Sequence, residues 1–135
     1  SLRPVLEDPK VELHDEIFTQ SNYHGYSYHP FRCIRNDRYA YIQGFEDNEC
    51  SQFPRSDASP TDEAWTALGW GEKPTPKERL FDTIFDPHEL NNLADDPAFA
   101  EIKSELQTKL IAHQRSIKDP ILDGPIPAPE GLIPS

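Results

Sequence analysis

The stretch from Glu78 to Ala94 constrains this chain more than any other. Leu80, Phe81, Ile84 and Phe85 form a compact apolar run that reads as a short strand and its exit. Asp86-Pro87 stops the run, because proline fixes φ and has no N–H to give to a sheet. Leu90 and Leu93 then keep two apolar anchors at helical spacing, while Asn91 and Asn92 can bond neighbouring backbone and hold a turn. Nothing in the stretch is chemically reactive, so it reads as a corner that sets a helix against a sheet. The helix runs from Pro97 to about Ser116, with Asp96 as N-cap and Pro97 as its first residue. Phe99, Ile102, Leu106, Leu110, His113 and Ile117 mark one stripe, and Lys103, Glu105, Gln107, Lys109 and Arg115 take the wet side.

Upstream, Glu16–Gln20 reads as a first strand, and residues 21–30 as a loop rich in tyrosine and histidine. Its rings either pack on the sheet or face a ligand, since loops on rigid scaffolds carry binding residues. Phe31–Arg35 and Arg38–Gly44 form the clearest hairpin, joined by Asn36-Asp37, two residues that tolerate positive φ. Large residues occur on both faces of this hairpin, so both faces are expected to be covered, one of them by a second domain. Residues 62–69 read as a short helix with Thr61 as N-cap and Gly69 as its end, pinned to the body by Trp65 and Leu68. Trp70 reads as a packing plug, with sugar stacking as the alternative. The prolines after Asp119 predict an extended tail that wraps another domain or is partly mobile.

At 135 residues the chain is one domain by length, divided here into a lead-in (1–15), sheet and loops (16–94), helix (95–117) and tail (118–135). Its 14 prolines and 36% apolar content predict a modest core with much irregular chain around it. The fold class is therefore α+β: a small antiparallel sheet of about four strands with one long C-terminal helix packed on it. A formal charge of −11 argues against nucleic-acid binding, which needs clustered cations on the phosphates. No apolar run is long enough to span a bilayer, and Ser1–Leu6 lacks the apolar core of a signal peptide. Cys33 and Cys50 make no disulfide framework, and the unpaired reading is favoured. His24 and His29 match no zinc-ligand spacing.

Three motifs, in order, resemble the sulfatase family. Leu80-Phe81-Asp82, then Asp86-Pro87-His88-Glu89-Leu90-Asn91-Asn92-Leu93-Ala94, is similar to the family's C-terminal signature, L-Y-D followed by D-P-x-E-x-x-N-L-A. Ile34-Arg35-Asn36-Asp37-Arg38-Tyr39-Ala40-Tyr41-Ile42 is similar to the strand pair preceding it there. Lys118-Asp119-Pro120-Ile121-Leu122-Asp123-Gly124-Pro125 resembles the tail of the branch that includes heparan N-sulfatase. The resemblance implies a C-terminal subdomain of an enzyme that hydrolyses sulfate esters or sulfamates, and Ser1–Leu6 resembles an internal segment that follows the catalytic domain. It also implies a partner, the N-terminal catalytic domain, holding formylglycine and calcium or magnesium. The C/S-x-P-x-R motif that supplies formylglycine is absent; Cys50 to Arg55 has the wrong spacing. No catalytic residue is therefore carried onto this chain, which is expected to be inactive alone. His24 falls where this branch often keeps a histidine; with Tyr23 and Arg32 it forms the expected substrate rim for a sulfated sugar. Family habit implies the periplasm, the cell exterior or the lysosome. The other reading is a stand-alone module of this fold that binds carbohydrate or protein.

Overall fold

The computed structural model describes residues 3–11, 14–24, 27–46, 59–72, 75–128 and 130. Four strands, β1 (Ile17–His24), β2 (Ser27–Arg35), β3 (Tyr39–Gly44) and β4 (Glu78–Asp82), form one antiparallel sheet in the order β1-β2-β3-β4. Three α-helices accompany it among the described residues: α1 (Arg3–Glu7), α2 (Pro60–Ala67) and α3 (Ala100–Ser116). The expected α+β class, four strands and a long C-terminal helix, is what the chain adopts.

Pairing places Phe18 opposite Ile34, Ile34 opposite Tyr41, and Tyr41 opposite Leu80. Side chains alternate across a strand, so this row shares one face. Ile34, Tyr41 and Leu80 are fully buried there against Leu106 and Leu110 of α3, with Phe99, Ile102 and Leu93 packed around them. The neighbouring row on the same face, Gln20, Arg32, Gln43 and Glu78, is polar. The opposite face carries Ile17, Arg35, Ala40 and Phe81 in one row and Thr19, Cys33, Ile42 and Arg79 in the next.

The corner after β4 closes the sheet's outer edge. Asn92 Oδ1 accepts from the N–H groups of Leu80 and Ala94 (2.9 and 3.1 Å), and its Nδ2 donates to Glu78 O. Leu93 N donates to Leu80 O. A side-chain amide thus stands in for a fifth strand along an edge that would otherwise present open backbone. Asp86 accepts from Asn91 N, and Glu89 takes the positive φ that tightens the turn. The corner's apolar residues divide in a way the sequence did not foretell. Leu93 packs on the core, but Ile84, Phe85 and Leu90 point outward with 59%, 80% and 84% exposure.

Other expectations are corrected. The segment read as a tyrosine- and histidine-rich loop is mostly strand: β1 runs on to His24 and β2 starts at Ser27, with a register shift between Ser21 and Tyr23. The β2–β3 turn needs no positive φ at Asn36 or Asp37. Instead Asn36 Oδ1 accepts from Arg38 N and Tyr39 N, an Asx-type turn. Helix α2 is capped by Ser59, whose hydroxyl accepts from Asp62 N, and Pro60 rather than Asp62 opens it. Trp65 and Leu68 do not pin it, since α2 buries no residue. In the long helix, Gln114 takes the buried place after Leu110, and Ile117 is half exposed. That helix ends at Lys118, in the left-handed region, rather than at a glycine. The tail turns back onto its own sheet and is held there at Asp119 and Ile126.

Candidate functional site

The chemistry-bearing side chains converge where the tail meets β1 and β2. Arg32 lies on the helix face with 2% of its surface exposed. Its Nε and NH2 donate to the two carboxylate oxygens of Asp119 at 2.5 and 2.8 Å, a planar fork matched to a planar carboxylate. NH1 donates to Ser21 O, Phe31 O and Asn22 Oδ1. Asp119 also caps the turn Pro120–Asp123 by accepting from Ile121 N. The Arg32 guanidinium holds the Asp119 carboxyl below the usual carboxylate range, against the opposing pull of burial. This one contact ties β2 to the start of the tail.

A second clamp lies further along. Tyr23 OH donates to Ile126 O (3.1 Å), and Ile126 N donates to Tyr28 OH (2.8 Å). The two phenol rings lie 4.9 Å apart. Together they satisfy both backbone groups of one tail residue, as a strand would. His24 ends β1 and pairs with Ser27 across the hairpin; its side chain falls outside the described residues. Of the three expected rim residues, Tyr23 and Arg32 are thus brought to the same tail, and the backbone of His24 lies at the hairpin tip beside Tyr23.

Beside Arg32 a cavity of about 230 Å³ opens between β1 and α3, lined in part by Phe18, Gln20, His113, Gln114 and Asp119. His113 stacks on Phe18 with ring centroids 3.9 Å apart. Gln114 is the residue that sequence reasoning missed. Its signal was its place four residues after Leu110, on the same stripe.

Two further arginines, at the end of β2 and in the β2–β3 turn, also meet acids. Arg38 pairs with Asp82 (2.8 Å) and holds that carboxyl low; Arg35 reaches Glu89 at 3.3 Å. Cys33 is half-buried and its thiol is pushed up by desolvation, away from a reactive thiolate. Cys50 lies outside the described residues, and so does the segment Cys50 to Arg55. Among the described residues no three His, Cys, Asp or Glu side chains come together as metal ligands. No described helix is long and apolar enough to cross a membrane. Trp70 is 39% exposed and meets Trp65 edge to face, centroids 5.4 Å apart.

No family model matches the chain. It is similar to an ulvan-active sulfatase of Formosa agariphila, with 28% identity over 97% of this chain and 28% of that protein. Among solved structures it is similar to a 2-O GAG sulfatase (TM-score 0.62, 24% identity, 96% of this chain and 22% of that one). A protein solved with its substrate D-glucosamine-2-N,6-O-disulfate shares the fold at TM-score 0.59 and 20% identity, over 93% of this chain and 20% of that one. The chain therefore spans between a fifth and a third of the length of the proteins it matches. Its fold is that of a C-terminal part of a sulfatase.

Proposed function

We propose that this chain is the C-terminal subdomain of a sulfatase acting on a sulfated sugar, closest to the heparan N-sulfatase-like branch. The observation that carries this is the likeness to a sulfatase along 97% of the chain, over the same elements that build its sheet and helix. The branch assignment rests on the tail motif, whose Asp119 is the buried partner of Arg32.

In this reading the parent enzyme cleaves a sulfate ester or sulfamate with water, releasing sulfate and the sugar hydroxyl or amine. The formylglycine nucleophile and the calcium or magnesium ion belong to the catalytic domain. No step is assigned to this chain, which lacks the C/S-x-P-x-R motif. Its work is to complete the fold and shape the substrate rim. His24 at the hairpin tip is the proposed sugar contact. Tyr23 and Arg32 act by positioning: Arg32 anchors the tail through Asp119, and Tyr23 fixes Ile126 beside the same tip.

Exposed apolar surface supports a covering domain. Ile17 on the face away from α3 is 60% exposed, and Ile84, Phe85 and Leu90 stand out at the corner. Large apolar side chains left exposed in this way suit an interaction site.

The test is the coding sequence before Ser1 together with an aryl sulfate assay. An in-frame α/β domain with C/S-x-P-x-R, and an inactive 135-residue chain, are the expected results. A start codon at Ser1, or turnover of an aryl sulfate by the purified chain, would overturn the reading.

A further inference from the structure

Arg79 is the arginine of the sheet whose charge nothing answers. It stands on β4 opposite Ile42, on the face away from α3, in one row with Cys33 and Thr19. Arg32, Arg35 and Arg38 each reach an acid. Among the described residues Arg79 has no such partner, and its Nε–H is closed to water and meets no acceptor. Desolvation pulls Arg79 below the usual arginine range, and the fields of Cys33 and Glu89 offset that only in part. Arg38, bonded to Asp82, is raised instead. Glu89 spends its own bond on Arg35. A charge held partly out of water with no partner is a cost that this chain does not recover by itself.

The surroundings of Arg79 are mostly apolar. Ile42 and Cys33 beside it are half-buried, and Ile17 at the far side of the same face is 60% exposed. Glu89 leads into the corner, where Leu90 is 84% exposed. Protein interfaces combine these features: apolar surface, few charges and arginine enriched. The guanidinium fork matches a carboxylate.

We propose that Arg79 anchors the catalytic domain to this face of the sheet by receiving an aspartate or glutamate side chain of that domain. The occupant rests on the sulfatase reading, under which most of the enzyme lies outside this chain: the chain corresponds to 28% and 22% of two proteins it matches. A sulfated sugar fits the face less well. A polyanion is drawn by a field of several cations, whereas Arg79 lies in the field of Glu89 on a chain of formal charge −11.

The experiment places Arg79→Met in two proteins, the purified 135-residue chain and the full-length product of its gene. Methionine fills the place of the apolar stem and removes the charge. In the chain alone the melting temperature should rise by about 3 °C, because an uncompensated charge is gone. In the full-length enzyme it should fall by about 3 °C, and Arg79→Lys should recover part of the loss. A purely structural arginine would move both melts the same way. A fall or no change in the chain alone would overturn the proposal, and so would a rise in both proteins; either leaves the sulfatase reading standing. Sodium sulfate is compared with sodium chloride at equal ionic strength. It should stabilise the chain and its Arg79→Met variant equally. A gain confined to the unsubstituted chain would make the occupant a free oxyanion and overturn the docking. A gene that encodes no catalytic domain would sink this proposal and the sulfatase reading together.

Discussion

Arg32 and Asp119 meet with side-chain exposures of 3% and 1%, which makes each dependent on the other. Two charges taken out of water are compensated only while both are present, and removing one strands its partner. Asp119→Ala is therefore expected to destabilise the fold by about 3–5 kcal/mol in urea denaturation at pH 7. The double replacement Arg32→Met with Asp119→Leu should cost clearly less. A double variant as unstable as the single one would show that the pair's worth is packing and not charge. Acid adds a check. The Asp119 carboxyl titrates lower in the fold than in the unfolded chain, where it sits near about 3.9. Its contribution is thus fully present above that value and lost as pH falls through the lower folded one. Asp119→Asn should flatten the acid limb of stability against pH. None of this pairing was legible in sequence, because the partners are 87 residues apart and no local pattern links them. Arg35 and Arg38 follow a simpler rule, since surface arginines in an acidic chain find carboxylates, here Glu89 and Asp82.

At the scale of elements, the long helix was legible because a repeat of three and four over five turns admits one period; its start was not, since Asp96 caps a 3-10 turn, Pro97–Phe99, and the α-helix itself begins at Ala100. The end of β1 was not. Tyr and His inside a polar run read as loop, yet they alternate as a strand requires once the tail supplies hydrogen bonds to Tyr23 and Tyr28. The cap of α2 was misread for a related reason: Ser59 and Thr61 are chemically similar as caps, and only Pro60 at the first turn separates them. The corner's Asn92 was expected to hold a turn, and it does more, serving three backbone groups of β4 and the chain after it. Asn92→Ala would leave two N–H groups and a carbonyl without that amide, at a cost of about 2 kcal/mol. Hydrogen exchange gives the sharper readout. Leu80 N–H should exchange faster in the variant than in the parent even after correction for global stability. Equal protection would mean that α3 and Leu93, not Asn92, secure the outer edge of β4.

For the molecule as a whole, charge and apolar exposure pull in opposite directions. A formal charge of −11 keeps copies apart. Phe85, Leu90 and Ile84 offer the copies a reason to meet, although Arg38 stacks over Phe85, its guanidinium 5.4 Å from the ring centroid. Salt decides between the two, since the screening length falls from about 10 Å at 0.1 M to about 3 Å at 1 M, while burial of apolar surface is not screened. The isolated chain is therefore expected to sediment as a monomer in dilute buffer and to self-associate as sodium chloride is raised towards 1 M. Ile84→Ser, Phe85→Ser and Leu90→Ser combined should restore the monomer at high salt. They should leave thermal stability nearly unchanged, because residues this exposed contribute little burial. If the triple variant associates as the parent does, the sticky surface lies elsewhere, with Ile17 at the β1 edge of the sheet the first alternative. If it is monomeric, the same three positions become the ones to follow in the parent sulfatase proposed above. There a catalytic domain seated on the corner should protect them from solvent, and association with salt should vanish without any substitution.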